Sequence, residues 1–284
     1  MARIGIMYDR DLPPEDLPAF ARTVEECGAD DLWVVEDLGW SGSISAAALA
    51  LAATTGLRVG IGIAPVPLRN PVLLAMEIAT LARVHPGRLV AGLGHGIPEW
   101  MRKAGAEPAR KLAALEETIV AVRALLRGTT VTMTGHEVTI DGVSLVHPPQ
   151  QQPPLVTGVV GPRSLALSGR HADGTVLPEG FGPARIREAI TTIAAPVRAQ
   201  HETIVFTYLH TGPDAATATA EAVADQAAWL GVPPSAVYSL IGPPAEAPAR
   251  VEALFEAGAD TVVLRPLGPD PLPHVRAALS ALGR

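Results

Sequence analysis

The chain is short of cysteine: Cys27 is the only one in 284 residues. A lone thiol excludes an internal disulfide and fits a reducing cytosol. The eight histidines show no HxxxH spacing and there is no CxxC, so no metal site is expected. No run of roughly 18 apolar residues is free of charge, which argues against a membrane span. Basic clusters are also missing, and the formal net charge is -7, so a nucleic-acid partner is not expected. The opening MARIGIMYDRD meets acidic residues too soon for a signal peptide, and a cytoplasmic protein is expected.

What the chain has in plenty is apolar residues, 48% of the total, with 27 glycines and 27 prolines as punctuation. Apolar runs at 4–8, 31–35, 57–63 and 88–93 each precede a helix-prone stretch. That rhythm demands parallel strands joined by helical crossovers. Residues 130–146, TVTMTGHEVTIDGVSLV, break it with β-branched alternation and glycine turns, predicting a small antiparallel excursion within an insertion at about 128–152. The rhythm then resumes, with strands at 155–160, 174–177, 203–209 and 260–264 and a helix over 183–198 among its crossovers. Eight such units predict one (β/α)8 TIM barrel domain over 1–284, since an open doubly wound sheet of eight would leave two edges to protect.

In such a barrel the site lies where the strands end. The stretch 88–100, RLVAGLGHGIPEW, ends a buried strand in alternating glycines, with His95 just beyond Gly94. Either the glycines serve packing, or backbone there passes close to a ligand. His95 titrates near neutral pH and is either a hydrogen-bonded structural histidine or an acid/base group. Glu36 and Asp37 follow the second strand, and only one of two adjacent side chains can face the axis. Gly158, and then Gly161, Pro162, Arg163 and Ser164, follow the fifth strand. They form either a capped helix start or a phosphate grip of backbone N–H groups, a hydroxyl and the helix dipole. Tyr8, Trp40, Trp100, Glu179 and Arg265 remain to shape a substrate pocket.

DLWVVED, LRVGIGIAPVPLRNP, PGRLVAGLGHG, GPRSLALSGRHADGTVL and GADTVVLRPLG, in that order and spacing, resemble the luciferase-like flavin- and deazaflavin-dependent oxidoreductases. The resemblance implies a homodimeric barrel with coenzyme F420, or alternatively FMN, at the strand ends. It implies hydride transfer between F420 and a small organic substrate; an FMN-dependent monooxygenase and a non-catalytic flavin-binding barrel are the alternatives. It places a cis peptide at Gly62–Ile63, next to Ala64, behind the coenzyme ring. His95 falls where relatives touch the ring or supply a proton, and Gly161 to Ser164 where they hold the phosphate. The family's acidic residue and histidine correspond to Glu36 and Asp37, so the implied acid/base role falls to Asp37 or His95.

Overall fold

A computed structural model describes residues 2–193 and 201–284. The strands are β1 (Arg3–Met7), β2 (Asp31–Val34), β3 (Arg58–Pro65), β4 (Leu89–Gly94), β5 (Val131–Thr134), β6 (Thr139–Val143), β7 (Leu155–Gly158), β8 (Gly174–Leu177), β9 (Glu202–His210), β10 (Leu240–Ile241) and β11 (Thr261–Pro266). Eight run parallel in the order β1-β2-β3-β4-β7-β8-β9-β11, and β11 pairs with β1 to close the barrel. β5 and β6 form a separate antiparallel ladder, as the β-branched stretch predicted.

The helices are α1 (Leu17–Glu26), α2 (Ser43–Ala53), α3 (Pro71–Val84), α4 (Pro98–Lys103), α5 (Lys111–Leu126), α6 (Pro162–His171), α7 (Pro183–Ile193), α8 (Ala215–Ala218), α9 (Ala220–Leu230), α10 (Ala247–Glu256) and α11 (Leu272–Ala281). Proline opens many of them because its missing N–H costs nothing at a first turn. At α3, Asn70 also accepts a hydrogen bond from the Val72 N–H at 2.9 Å. The helix predicted over 183–198 is seen to Ile193; its remainder lies outside the described residues. The short strand β10 was not expected: it adds to the end of β9 through only two residue pairs, too few for a hydrophobic period.

Among the described residues, apolar side chains pack between strands and helices, along the barrel axis, and in a small third cluster of Tyr208, Ala227 and Val237. Trp33, fully buried, fills the axis edge-on to Phe206, with ring centroids 5.4 Å apart. A Cβ on Gly60 would stand 2.4 Å from the Trp33 ring, so only glycine leaves room for it. Toward the N-terminal end of β3, Arg58 donates to Asp31 (2.6 and 2.8 Å) and to Glu202 (2.7 and 3.0 Å). The axis is therefore plugged by a charged layer and a tryptophan, and the cavity at the C-terminal strand ends lies beyond them.

Candidate active site

The ladder between β3 and β4 slips between Ile61 and Ala64, and the Gly62–Ile63 peptide is cis. The Ile63 side chain lies in a cradle of glycines. A Cβ would stand 2.6 Å from it at Gly94, 2.7 Å at Gly158 and 3.2 Å at Gly92. The alternating glycines of β4, Gly92 and Gly94, thus serve packing around this bulge. Beyond them the chain is free to turn His95 toward the barrel mouth.

At that mouth is a cavity of about 370 Å³. Its floor is Met7, Val176 and Phe206, and its sides carry Glu36, Asp37, Gly62, Ile63, His95, Trp100, Gly158, Gly161, Ser164, Glu179 and Arg265. The loops after β2, β3, β4, β7, β8 and β11 are thereby brought together. Gly94 and Ala64 lie behind the wall, buried. Pro162 and Arg163 are exposed at the start of α6 and do not line the cavity. Tyr8 is buried elsewhere, its hydroxyl donating to the Pro13 carbonyl, and burial pushes its pKa up to about 12. Trp40 stands outside the lining, with its ring 6.4 Å from Trp100 and its Nε1 donating to Asp11.

His95 Nε2 lies 3.0 Å from Ser164 Oγ, joining the loop after β4 to the first turn of α6. Its Nδ1 is buried and makes no hydrogen bond of normal geometry. Burial lowers the imidazole pKa, so the neutral ring prevails at pH 7. Glu36 accepts from the Ser43 N–H and hydroxyl and from Arg69, which fastens the start of α2. Asp37 is paired with Arg10 at 2.5 Å, and Arg10 sits 4.7 Å over the Trp40 ring. Arg265 bridges Asp9 (2.6 Å) and Glu179 (3.1 Å), tying three strand ends together. The surrounding carboxylates hold its pKa up, and Tyr208 beside it is pushed up to about 12 by burial and by Glu179.

Sequence reasoning missed Met7, Val176, Phe206 and Trp229 as lining residues. The first three read as ordinary strand residues, because axis-facing and helix-facing positions are both apolar in a parallel barrel. Trp229 carried one usable signal, a bulky aromatic among the small and acidic residues of α9, and the structure leaves it 57% exposed.

The family profile described as luciferase-like monooxygenase matches residues 1–261. The chain is 27% identical over 191 residues to the 5,10-methylenetetrahydromethanopterin reductase of Methanolobus tindarius, covering 67% of this chain and 58% of the relative. It is 29% identical over 184 residues to the F420-dependent glucose-6-phosphate dehydrogenase of Nakamurella multipartita, covering 60% and 54%. The matched region thus takes in little more than half the length of these relatives. In fold, the coenzyme F420-dependent tetrahydromethanopterin reductase of Methanopyrus kandleri superposes with a TM-score of 0.87 over 99% of this chain and 98% of its own, at 20% identity. With the profile spanning nearly the whole barrel, the chain belongs to the luciferase-like monooxygenase family.

Proposed function

We propose that this chain is an F420-dependent oxidoreductase that moves a hydride between the deazaflavin and a small organic substrate. The observation that carries the reading is the His95–Ser164 contact on the wall of a cavity open at the strand ends. Relatives named for F420 dependence support it. The residues fit such a coenzyme: an apolar floor, the Gly62–Ile63 backbone as a wall, and a half-buried imidazole held beside the Ser164 hydroxyl. When bound, F420 supplies the hydride or receives it.

The chain's own part is orientation and proton handling. The start of α6 has N–H groups without intrahelical partners, and with the Ser164 hydroxyl these would hold a phosphate. Glycine at 158 and 161 lets that backbone approach closely. His95, neutral and fixed by Ser164, takes or returns the proton that accompanies the hydride. Asp37, already engaged by Arg10, holds that guanidinium at the rim. The apolar floor keeps water from the reacting face.

We further read the chain as one domain that acts in the cytosol on a small molecule and pairs as a homodimer. The exposed Leu49 on α2 and Leu73 and Met76 on α3 support the pairing, since large apolar side chains on adjacent helices favour a partner surface. The functional test is titration with F420 and with FMN under one set of conditions, followed by turnover with the reduced coenzyme. F420 binding with turnover is expected. Tight FMN binding without F420 binding would overturn the reading in favour of an FMN-dependent monooxygenase.

A further inference from the structure

The chain has 4 tryptophans. Trp33 is buried on the barrel axis, and the other three stand around the mouth: Trp100 and Trp229 line the cavity, and Trp40 lies beside Trp100. Trp229 is left 57% exposed, and Ile97 and Val160, which also line the cavity, are 40% and 41% exposed. Apolar surface of this size gathered at a concave opening marks a place where an apolar partner group is buried.

The charges point the same way. The cavity lining carries three carboxylates, Glu36, Asp37 and Glu179, against one guanidinium, Arg265. Arg265 is already shared between Asp9 and Glu179. Arg10, at the rim, is taken by Asp37, and Arg69, behind Glu36, by Glu36 and Glu77. His95 is kept neutral by burial. Among the described residues lining the cavity, no cation is left to receive an anionic substrate. Counted with their partners, four carboxylates (Asp9, Glu36, Asp37 and Glu179) face three guanidiniums (Arg10, Arg69 and Arg265), so a carboxylate or phosphate entering here would lose its water without a free cation to receive it.

We propose that the substrate subsite takes an uncharged molecule with an apolar, ring-sized face laid against Trp100 and Trp229, and turns away carboxylated and phosphorylated analogues. The inference rests on the reading that substrate meets coenzyme in this cavity. The start of α6 remains the place for the coenzyme's own phosphate, and Val160 and Gly161 border it. Discrimination comes from the carboxylates as a repulsive element as much as from the aromatic surface.

The test is calorimetric titration of the full chain, with and without F420, using benzylideneacetone and acetylnaphthalene, each beside its carboxylated counterpart. The uncharged member of at least one pair is expected to bind at least about tenfold tighter than its counterpart. Trp100→Ala and Trp229→Ala should each weaken it roughly threefold to tenfold, with F420 affinity little changed. Glu179→Gln should narrow the gap within each pair, because one carboxylate is gone. Equal or tighter binding of the carboxylated members, no binding by any uncharged member, or indifference to both tryptophan substitutions would overturn the proposal. Failure of F420 to bind, with the preference for uncharged probes intact, would count against the coenzyme reading alone.

Discussion

His95 and Ser164 lie 69 residues apart in sequence, yet their side chains meet at 3.0 Å beyond the ends of the adjacent strands β4 and β7. One comes from the end of β4, the other from the first turn of α6, and each fixes the other. The proposed chemistry depends on this pair: Ser164 sets the ring's orientation, and burial sets its charge.

Replacing His95 by Gln should therefore lower turnover with reduced coenzyme by about 10²–10⁴-fold while leaving coenzyme affinity nearly intact. Ser164→Ala should cost less, about 2- to 10-fold in kcat/KM, the worth of one hydrogen bond. Steady-state kinetics with a coenzyme titration separates the two effects. Unchanged turnover in both variants would remove His95 from the mechanism.

Acid should destabilise the fold through histidine. Burial is the first cause of the lowered pKa of His95, His201 and His210 alike. Below about pH 6.5 the unfolded chain takes up protons that these native rings refuse. Stability conferred by the neutral rings is full above that pH and is lost as pH falls toward their native pKa values. Melting temperatures at about pH 7.5 and about pH 5.5 should show a smaller acid loss for His95→Asn than for the unaltered chain.

The cradle around Ile63 should not tolerate a methyl group. At Gly94 a Cβ would stand 2.6 Å from Ile63 Cδ1 and 3.2 Å from the Gly158 carbonyl oxygen. Gly94→Ala should cost about 1–3 kcal/mol by overpacking. Added to Ile63→Ala it should cost less than the two changes summed, because the clashing side chain is gone. Denaturant unfolding of the two single variants and the pair measures this coupling.

At the other end of the axis, Arg58 neutralises two carboxylates, one of them fully buried. Burial raises the pKa of Asp31, whereas Arg58 and the Thr261 hydroxyl hold that of Glu202 down. Arg58→Leu leaves Asp31 with Arg3 at 3.6 Å and Glu202 with the Thr261 hydroxyl, and should still destabilise by about 3–5 kcal/mol. Glu202→Gln, which leaves Arg58 with Asp31, should cost less. Chemical denaturation of both variants checks the order.

The barrel was readable because each βα unit announces itself: an apolar run, then a proline or small residue opening a helix. The 155–160 run, however, leaves the sheet at Gly158, because Val159 and Val160 turn toward the cavity. Apolarity alone does not tell a strand residue from a pocket residue. In the site, His95, Asp37, Glu179 and Arg265 were found from their place after strands, and all four line the cavity. Tyr8 obeyed the same rule and does not, because its ring turns outward to meet Phe20 at 5.0 Å. Phe206 and Trp229 needed tertiary information: one is an alternate position of a continuous apolar strand, the other arrives from a helix.

The central claim is that a phosphorylated deazaflavin binds at the strand ends, and a crystal structure of the chain soaked with F420 tests it most directly. The expected density puts the phosphate at the start of α6, at Gly161 to Ser164, and the ring beside Gly62–Ile63 and His95. Density at the opposite, N-terminal end of the barrel, or a mouth left without coenzyme at saturating concentration, would contradict the account.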